Sequence, residues 1–521
     1  MEKIMEKVKI LWVDDEIDLL KAHVMFLEQK GYEVHTSNNG DEALDMMRNV
    51  SYDIVFLDEN MPGLTGLETL EIIKQINPNL AVVMITKSEE ESIMEEAIGS
   101  NISDYLIKPV KPNQILLSIK KNLEKKDLVS QKTSTAYQQA FGEIGLEISS
   151  TLDFEGWKEV YRRIVNWELR LQTTRDEGMA EVLRMQKGEA NQVFSRYYET
   201  HYPAWIAGKS PNKPVLSHTL IREKIFPILD DNSPLFFILI DNLRYDQWKT
   251  IQPIIEEFYR VEQDELYYSI LPTTTQFARN ALFSGLLPSE IEKKYPQWWL
   301  NEWDEGTKNQ YEEELLSELL KRFGRDIRFS FNKILNLSAG RKLVDNLPNL
   351  LSNRLNIIVY NFVDMLSHAR TEMEIIRELA NDEPAYRSLT LSWFQHSPLH
   401  DILRFLSLKK IDVIITTDHG SIRVQNAIKV VGDRETNTNL RFKAGKNLNF
   451  NKKECFYIHN PQEIFLPRQN VSTSYIFARS NDFFAYPNNY NYFANYYRNT
   501  FQHGGISLEE ILVPMVYLKA K

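Results

Sequence analysis

Short apolar runs and amphipathic stretches alternate from Val8 to about Leu123: KILWV, a helical stretch through Asp18 to Lys30, YEVHT, a second helix around Glu42 to Arg48, then DIVFL and onward. Strand-length runs separated by helix-period segments predict repeated βα units on a parallel sheet. Glu124 to Thr135 is polar, carries Lys125, Lys126 and Lys132, and reads as a solvated hinge or a helix extension. From about Ala136 to Tyr202 there is no strand signal, while Trp157, Val160, Tyr161, Ile164, Trp167 and Leu171 recur at helical spacing and predict a small helical bundle. The Pro-containing piece Ser210 to Pro214 marks a boundary. Beyond it the α/β pattern returns, with strand candidates LFFILI (Leu235 to Ile240), NIIVYNFV (Asn356 to Val363) and DVIITT (Asp412 to Thr417). The Asn- and Tyr-rich stretch Asn481 to Asn499 holds enough aromatics to predict a packed surface insertion rather than disorder. The expectation is a multidomain α/β chain, divided into residues 1–127, 128–208 and 209–521.

Composition narrows the chemistry. The chain has 521 residues, 43% of them hydrophobic, enough for about two to four packed domains. No apolar run approaches the roughly 20 residues that span a bilayer, and the opening MEKIMEKVKI lacks the apolar core and cleavage site of a signal peptide. A cytoplasmic chain without membrane insertion is expected. The single cysteine, Cys455, excludes an internal disulfide and a thiolate-rich zinc site, so a metal would need Asp, His and hydroxyl ligands. A net charge of −11 argues against a basic coat for nucleic acid and still permits a phosphate ester at a local metal centre.

In the first segment KILWV empties into Asp14, Asp15 and Glu16, and DIVFL ends at Asp58, followed by Glu59, Asn60, Met61, Pro62 and Gly63. Open parallel sheets gather ligands beyond the carboxyl ends of their strands, so these carboxylates should meet. Clustered carboxylates repel unless a hard cation such as Mg2+ sits among them. VVMIT ends at Thr86 and YLIKP brings Lys108, a hydroxyl and an ammonium able to receive the oxygens of a phosphoryl group on Asp58. A helix N-cap is the ordinary alternative for Asp58 taken alone. As a set, these residues resemble the receiver domain of two-component response regulators. That resemblance implies a doubly wound (βα)5 fold and a sensor histidine kinase as phosphodonor. It makes Asp58 the phosphoacceptor, with Mg2+ on Asp15, Asp58 and the Asn60 carbonyl and Asp14 assisting through water. Thr86, Lys108 and the switch aromatic Tyr105 sense the phosphoryl group.

In the last segment, LFFILI ends at Asp241, NIIVYNFV at Asp364 and DVIITT at Asp418-His419. His368 follows Asp364 by about one helical turn, and His503 precedes Gly504-Gly505, where small residues permit close backbone approach. Between the first two strands stands LPTTTQFARNALFSG, Leu271 to Gly285. A threonine before an amphipathic run is ordinarily an N-cap, and a helix N-terminus also welcomes phosphate oxygens. A threonine hydroxyl is too weak an acid to attack phosphate unaided, but zinc can hold it as an alkoxide. Spacing from Pro272 and Gly285 favours Thr275, with Thr273 and Thr274 as fallbacks. Arg244 and Arg279 are candidates for a non-bridging phosphate oxygen, an ion-paired arginine being the alternative for each. His23, His35, His201, His218, His396, His400 and His459 are expected to be ordinary core or surface residues.

This order of ligands is similar to that of the alkaline phosphatase superfamily, and PTTT, ARNALFSG, DMLSH, TDHG and HGGISLEE together resemble the PglZ domain. The resemblance implies an alkaline-phosphatase-like domain with a central, mostly parallel sheet and two Zn2+. One would take Asp241, Asp418, His419 and Thr275, the other Asp364, His368 and His503. The implied reaction is phosphoester hydrolysis through a phosphothreonine. Diesters of nucleotides or oligonucleotides are favoured over monoesters, because no dense Lys and Arg cluster accompanies the motifs. Receiver, helical linker and PglZ-type domain together resemble the PorX-like response regulators, a family linked to type IX secretion and gliding and to oligonucleotide phosphodiesterase activity. Phosphorylation of Asp58 is then expected to act on the hydrolase or on a homodimer contact. The competing expectation is a phosphorylation-controlled scaffold or transcriptional regulator with a structural metal site and secretion or transcription partners. The absence of a helix-turn-helix signal weighs against DNA binding.

Overall fold

The computed structural model describes residues 7–78, 80–87, 102–174, 176–230, 233–301, 304, 306–372, 382–433 and 436–521; the side chains at 123–131, 230 and 368–372 lie outside that description. The chain divides into two compact units, Met1–Thr135 and Ala136–Lys521.

The first unit is a five-stranded sheet of β1 (Lys9–Val13), β2 (Glu33–Ser37), β3 (Ile54–Asp58), β4 (Ala81–Thr86) and β5 (Asp104–Ile107). Their order is β2-β1-β3-β4-β5 and every pairing is parallel. This is the CheY-like order, which reverses beside β1 and opens a crevice at the strand ends. Residues 88–101, between β4 and β5, lie outside the described residues. All of β3 is buried, as a central strand covered on both faces requires. Of the two expectations for the stretch after Leu123, hinge or helix extension, the helix extension is found, as part of one helix Pro112–Ser149.

In the second unit the end of that helix joins helices Phe154–Gln172 and Glu177–Ile206, each started by an Asp whose side chain accepts a backbone N–H: Asp153 from Gly156 and Asp176 from Met179. Trp157, Val160, Tyr161, Ile164, Trp167 and Leu171 are buried as the period predicts. They share one apolar core with Phe236, Ile238 and Val413 of the α/β portion, so the bundle and the sheet are packed together.

The main sheet contains β6 (Leu235–Ile240), β7 (Tyr259–Tyr268), β8 (Phe329–Ile334), β9 (Leu355–Tyr360), β10 (Asp412–Thr416) and the carboxyl-terminal strand Leu512–Ala520, in the order β7, C-terminal strand, β10, β6, β9, β8. The four strands β10, β6, β9 and β8 are parallel, and the C-terminal strand runs antiparallel to both its neighbours. The run NIIVYNFV stops as a strand at Tyr360, and Phe362 and Val363 open the helix Phe362–Glu372. A short apolar run does not by itself mark where strand gives way to helix. The Asn- and Tyr-rich insertion packs as strand Asp482–Ala485 and helix Tyr490–Tyr497.

Candidate functional site

In the first unit Asp14 and Asp58 are buried and Asp15 is exposed, and one oxygen from each lies within 4.8 Å of the others. Lys108 Nζ sits 2.8 Å from Asp14 Oδ2 and 3.0 Å from Asp58 Oδ1. Burial pushes the Asp58 carboxyl up to about 6; Lys108 opposes this, while Asp14 and Asp15 add to it. Such a cluster gains from a cation that replaces the proton. Thr86 is buried at the end of β4 and donates to Glu59, and Asn60 is exposed in the turn after β3. Tyr105 is half-buried on the neighbouring β5. Thr65, rather than Asp58, caps the following helix.

In the second unit β10, β6 and β9 are adjacent, so their carboxyl ends bring Asp418, Asp241 and Asp364 to one crevice. Asp241, Asp418 and His419 are buried and offer ligand atoms within 4.8 Å of one another. Thr275 opens the helical segment Thr275–Ser284, and its Oγ1 lies 3.4 Å from Asp241 Oδ1 and 3.2 Å from His419 Nε2. Its two fallbacks differ. Thr273 Oγ1 donates to the Gly505 carbonyl at 3.0 Å and accepts from Gly504 N–H at 3.0 Å. The buried Thr274 hydroxyl has no hydrogen-bond partner among the described residues.

His503 completes a second group beside the first. Its Nε2 is 3.5 Å from Asp364 Oδ1, and its ring stacks on that of His419 at 4.4 Å and 19°. Both rings contact carbonyls through Nδ1: His419 meets Gly420 O at 3.2 Å, and His503 meets Thr273 O at 3.2 Å. A carbonyl beside Nδ1 favours the proton on that nitrogen, the tautomer whose Nε2 lone pair a metal ligand needs. His368 falls on the helix that carries Asp364, but its side chain lies outside the described residues. Gly504, at φ +124°, holds a backbone shape that side chains disfavour, and a Cβ there would press on Asn439 and Phe442.

Burial pushes the Asp241 carboxyl well above its ordinary range; Arg279 opposes this, and Asp418 and Asp364 add to it. Burial raises Asp418 as well, but Arg279 and His419 outweigh it and hold that carboxyl low. The same surroundings therefore drive the two carboxyls in opposite directions.

Both candidate arginines take the ion-paired alternative. Arg279 lies inside the carboxylate cluster: Nε is 2.9 Å from Asp418 Oδ2, another nitrogen pairs with Asp241, and Nη1 is 3.7 Å from Glu312. Arg244 takes the ion-paired alternative, bonding Asp246 at 2.8 and 2.6 Å with 1% exposure. Three contributors escaped the sequence reading. Glu312 is fully buried behind Arg279, yet it opens an acidic helical turn that resembles a solvated one. Asn309 donates to the Thr275 carbonyl at 2.9 Å from a loop with no periodicity. Asn242 has φ +63° and donates to Asp364 Oδ1 at 3.3 Å. The non-glycine left-handed residue next to Asp241 is a local signal that only the backbone reveals.

The family model described as BREX system PglZ alkaline phosphatase-like domain matches residues 220–518. That of the PorX response regulator linker domain matches residues 127–206, and that of the response regulator receiver domain matches residues 10–120. Among curated proteins, the chain is similar to the transcriptional regulatory protein CpxR homolog of Haemophilus influenzae, 36% identical over 141 residues, 27% of this chain and 61% of that protein. It is also similar to the transcriptional regulatory protein ZraR of Klebsiella oxytoca, 34% identical over 140 residues, 27% of this chain and 32% of that protein. The match thus spans about a third to three fifths of these relatives. Among solved structures, the receiver domain of NtrX from Brucella abortus is 34% identical with a TM-score of 0.21, covering 22% of this chain and 98% of that one. A CheY-like receiver domain protein from Methanospirillum hungatei is 28% identical with a TM-score of 0.23, covering 23% and 96%.

Proposed function

From the chain's membership of the PglZ alkaline phosphatase-like family, with a response regulator receiver domain and a PorX-type linker domain ahead of it, we propose a response regulator whose output domain is a metal-dependent phosphodiesterase. The observation that carries this reading is the approach of Thr275 Oγ1 to Asp241 at 3.4 Å and His419 at 3.2 Å, with Asp364 and His503 grouped beside them.

The donor set suits zinc, which takes nitrogen and oxygen ligands. Buried carboxylates outnumber the one arginine among them, and two imidazoles present Nε2. Asp241, Asp418, His419 and the Thr275 oxygen would hold one ion; Asp364, His368 and His503 would hold the other. When bound, such ions lower the pKa of a coordinated oxygen and stabilise charge on the departing one. The Thr275 hydroxyl has two acceptors in reach, Asp241 Oδ1 at 3.4 Å and His419 Nε2 at 3.2 Å, to which its proton can leave before the oxygen attacks phosphorus. The new bond joins phosphorus to Thr275 Oγ1 and the bond to the leaving alcohol breaks in line. The departing alkoxide takes up the proton that Thr275 lost; water then adds to phosphorus, the phosphorus–Oγ1 bond breaks, and one water proton restores the hydroxyl as the phosphate monoester leaves. The engagement of Arg279 by three carboxylates supports a diester over a dianionic monoester, which needs free cations. Nucleotide or oligonucleotide diesters are the substrates of choice.

Control comes from Asp58, phosphorylated by a sensor kinase with Mg2+ held by Asp14, Asp15, Asp58 and the Asn60 carbonyl. Thr86, Tyr105 and Lys108 respond to the phosphoryl group. The chain acts in the cytoplasm and dimerises on phosphorylation, with type IX secretion as its setting. Metal analysis followed by turnover of bis(p-nitrophenyl) phosphate tests the reading. Zinc near two per chain and turnover abolished by Thr275→Ala are expected. Bound zinc without Thr275-dependent cleavage of this or any nucleotide diester would mean a scaffold instead.

A further inference from the structure

Both imidazoles rest on one short piece of chain. Gly420, whose carbonyl contacts His419 Nδ1, donates its own N–H to the Glu510 carbonyl at 3.3 Å, and a Cβ at Gly420 would collide with the Glu509 carbonyl. Gly505, two residues after His503, donates its N–H to Glu510 Oε1 at 2.9 Å and accepts from Thr273. The helix Leu508–Ile511 is therefore the seat of the reacting cluster. Its four residues hold too few internal hydrogen bonds to fix its place, so outside contacts must do so.

Those contacts come from the helix Glu177–Ile206 of the linker. Asn191, 2% exposed, accepts from Leu508 N–H at 2.7 Å and donates from Nδ2 to Glu509 Oε2 at 3.0 Å. One turn on, Ser195 Oγ shares its proton between the Asn191 carbonyl at 2.7 Å and the Ile506 carbonyl at 3.2 Å, and accepts from Ser480 N–H at 3.3 Å. An amide used as donor and acceptor at once fixes both the height and the rotation of the seat, because moving either helix breaks one of the two bonds.

We propose that Asn191 is a positioning residue for the phosphodiesterase site, setting the orientation of His419 through Glu509 and Gly420. The linker helix then belongs to the site's framework, and displacing that helix detunes the reaction. This inference rests on the phosphodiesterase reading above.

The test uses the full chain and Asn191→Asp, which keeps the acceptor for Leu508 and sets a carboxylate against Glu509. For bis(p-nitrophenyl) phosphate, kcat should fall about tenfold or more while KM stays within about twofold. Adding Glu509→Gln, whose amide donates to the new carboxylate, should recover most of kcat. Nitrogen-15 NMR of the metal-stripped protein should find His419 as the Nδ1–H tautomer in the wild type and as a mixture in Asn191→Asp. A folded Asn191→Asp variant with wild-type kcat and tautomer, or a loss that Glu509→Gln does not restore, overturns the proposal. If Asn191→Asp does not fold, Ser195→Ala decides: lowered kcat at unchanged KM supports the seat, and unchanged kcat overturns it. Absence of wild-type turnover is a separate result, which sinks the hydrolase reading and leaves the tautomer to decide the positioning.

Discussion

Lys187 Nζ lies 2.9 Å from Glu509 Oε1, and neither side chain is more than 8% exposed. The same ammonium stands 2.9 Å from Glu168 of the adjacent linker helix and 3.2 Å from Glu383, so one buried cation serves three carboxylates across the joint between bundle and sheet.

Lys187→Met should destabilise this unit by about 3–5 kcal/mol, the usual cost of stranding buried charge. Burial already pushes Glu168 up to about 7 with the lysine present. Without the lysine the Glu168 value rises further above that of the unfolded chain, so stability is lost as pH rises through that range. Urea unfolding at about pH 6 and about pH 8 should show the larger deficit at the higher pH.

The three threonines make a graded test. Thr275→Ala should remove phosphodiesterase turnover by about a thousandfold or more while leaving the fold intact. Thr273→Val breaks the bonds to Gly504 and Gly505 and should cost about 1–3 kcal/mol of stability. Thr274→Val replaces a hydroxyl without a hydrogen-bond partner among the described residues and should be neutral or stabilising. Paired kinetics and thermal melting separate the roles.

Arg279→Met leaves Asp241 and Asp418 facing each other with no guanidinium between them. Metal-stripped protein should lose about 3–5 kcal/mol, and added zinc should recover much of that by neutralising the same carboxylates. Melting with and without zinc measures the recovery; a deficit insensitive to zinc would separate Arg279 from the metal site.

At Asp58 the sign follows from a folded-state pKa raised to about 6. The folded receiver holds this proton more tightly than the unfolded chain, so its stability falls as pH rises from about 4 to about 6. Mg2+ takes the proton's place. The Mg2+-induced rise in Tm of the receiver transition should therefore be larger at about pH 8 than at about pH 5, and Asp58→Asn should flatten both the pH and the Mg2+ response.

Much of the architecture could be read from local patterns. Short apolar runs and helical spacing marked the strands β1 to β6, β9 and β10 and the buried face of helix Phe154–Gln172, because each is set by what one element buries against the core. β8 was missed, and so were β7 and the C-terminal strand. The latter two carry polar and charged residues, as in YRVEQDELYY, and their pairing with each other joins positions about 250 residues apart. No local signal announces such a partner.

The same division runs through the site. Asp241, Asp364, Asp418 and His419 announce themselves as polar residues just beyond apolar runs, an order the chain carries whatever its final shape. That β10, β6 and β9 lie side by side is a property of the assembled sheet, and only this adjacency turns the acids into a cluster. Assembly also gave Arg279 to the carboxylates and Arg244 to Asp246, and seated the imidazoles on a helix gripped by Asn191, more than 300 residues earlier. A residue's type and spacing limit the chemistry it can perform. Its partners depend on contacts between distant segments, and burial makes those contacts strong enough to choose one role among several.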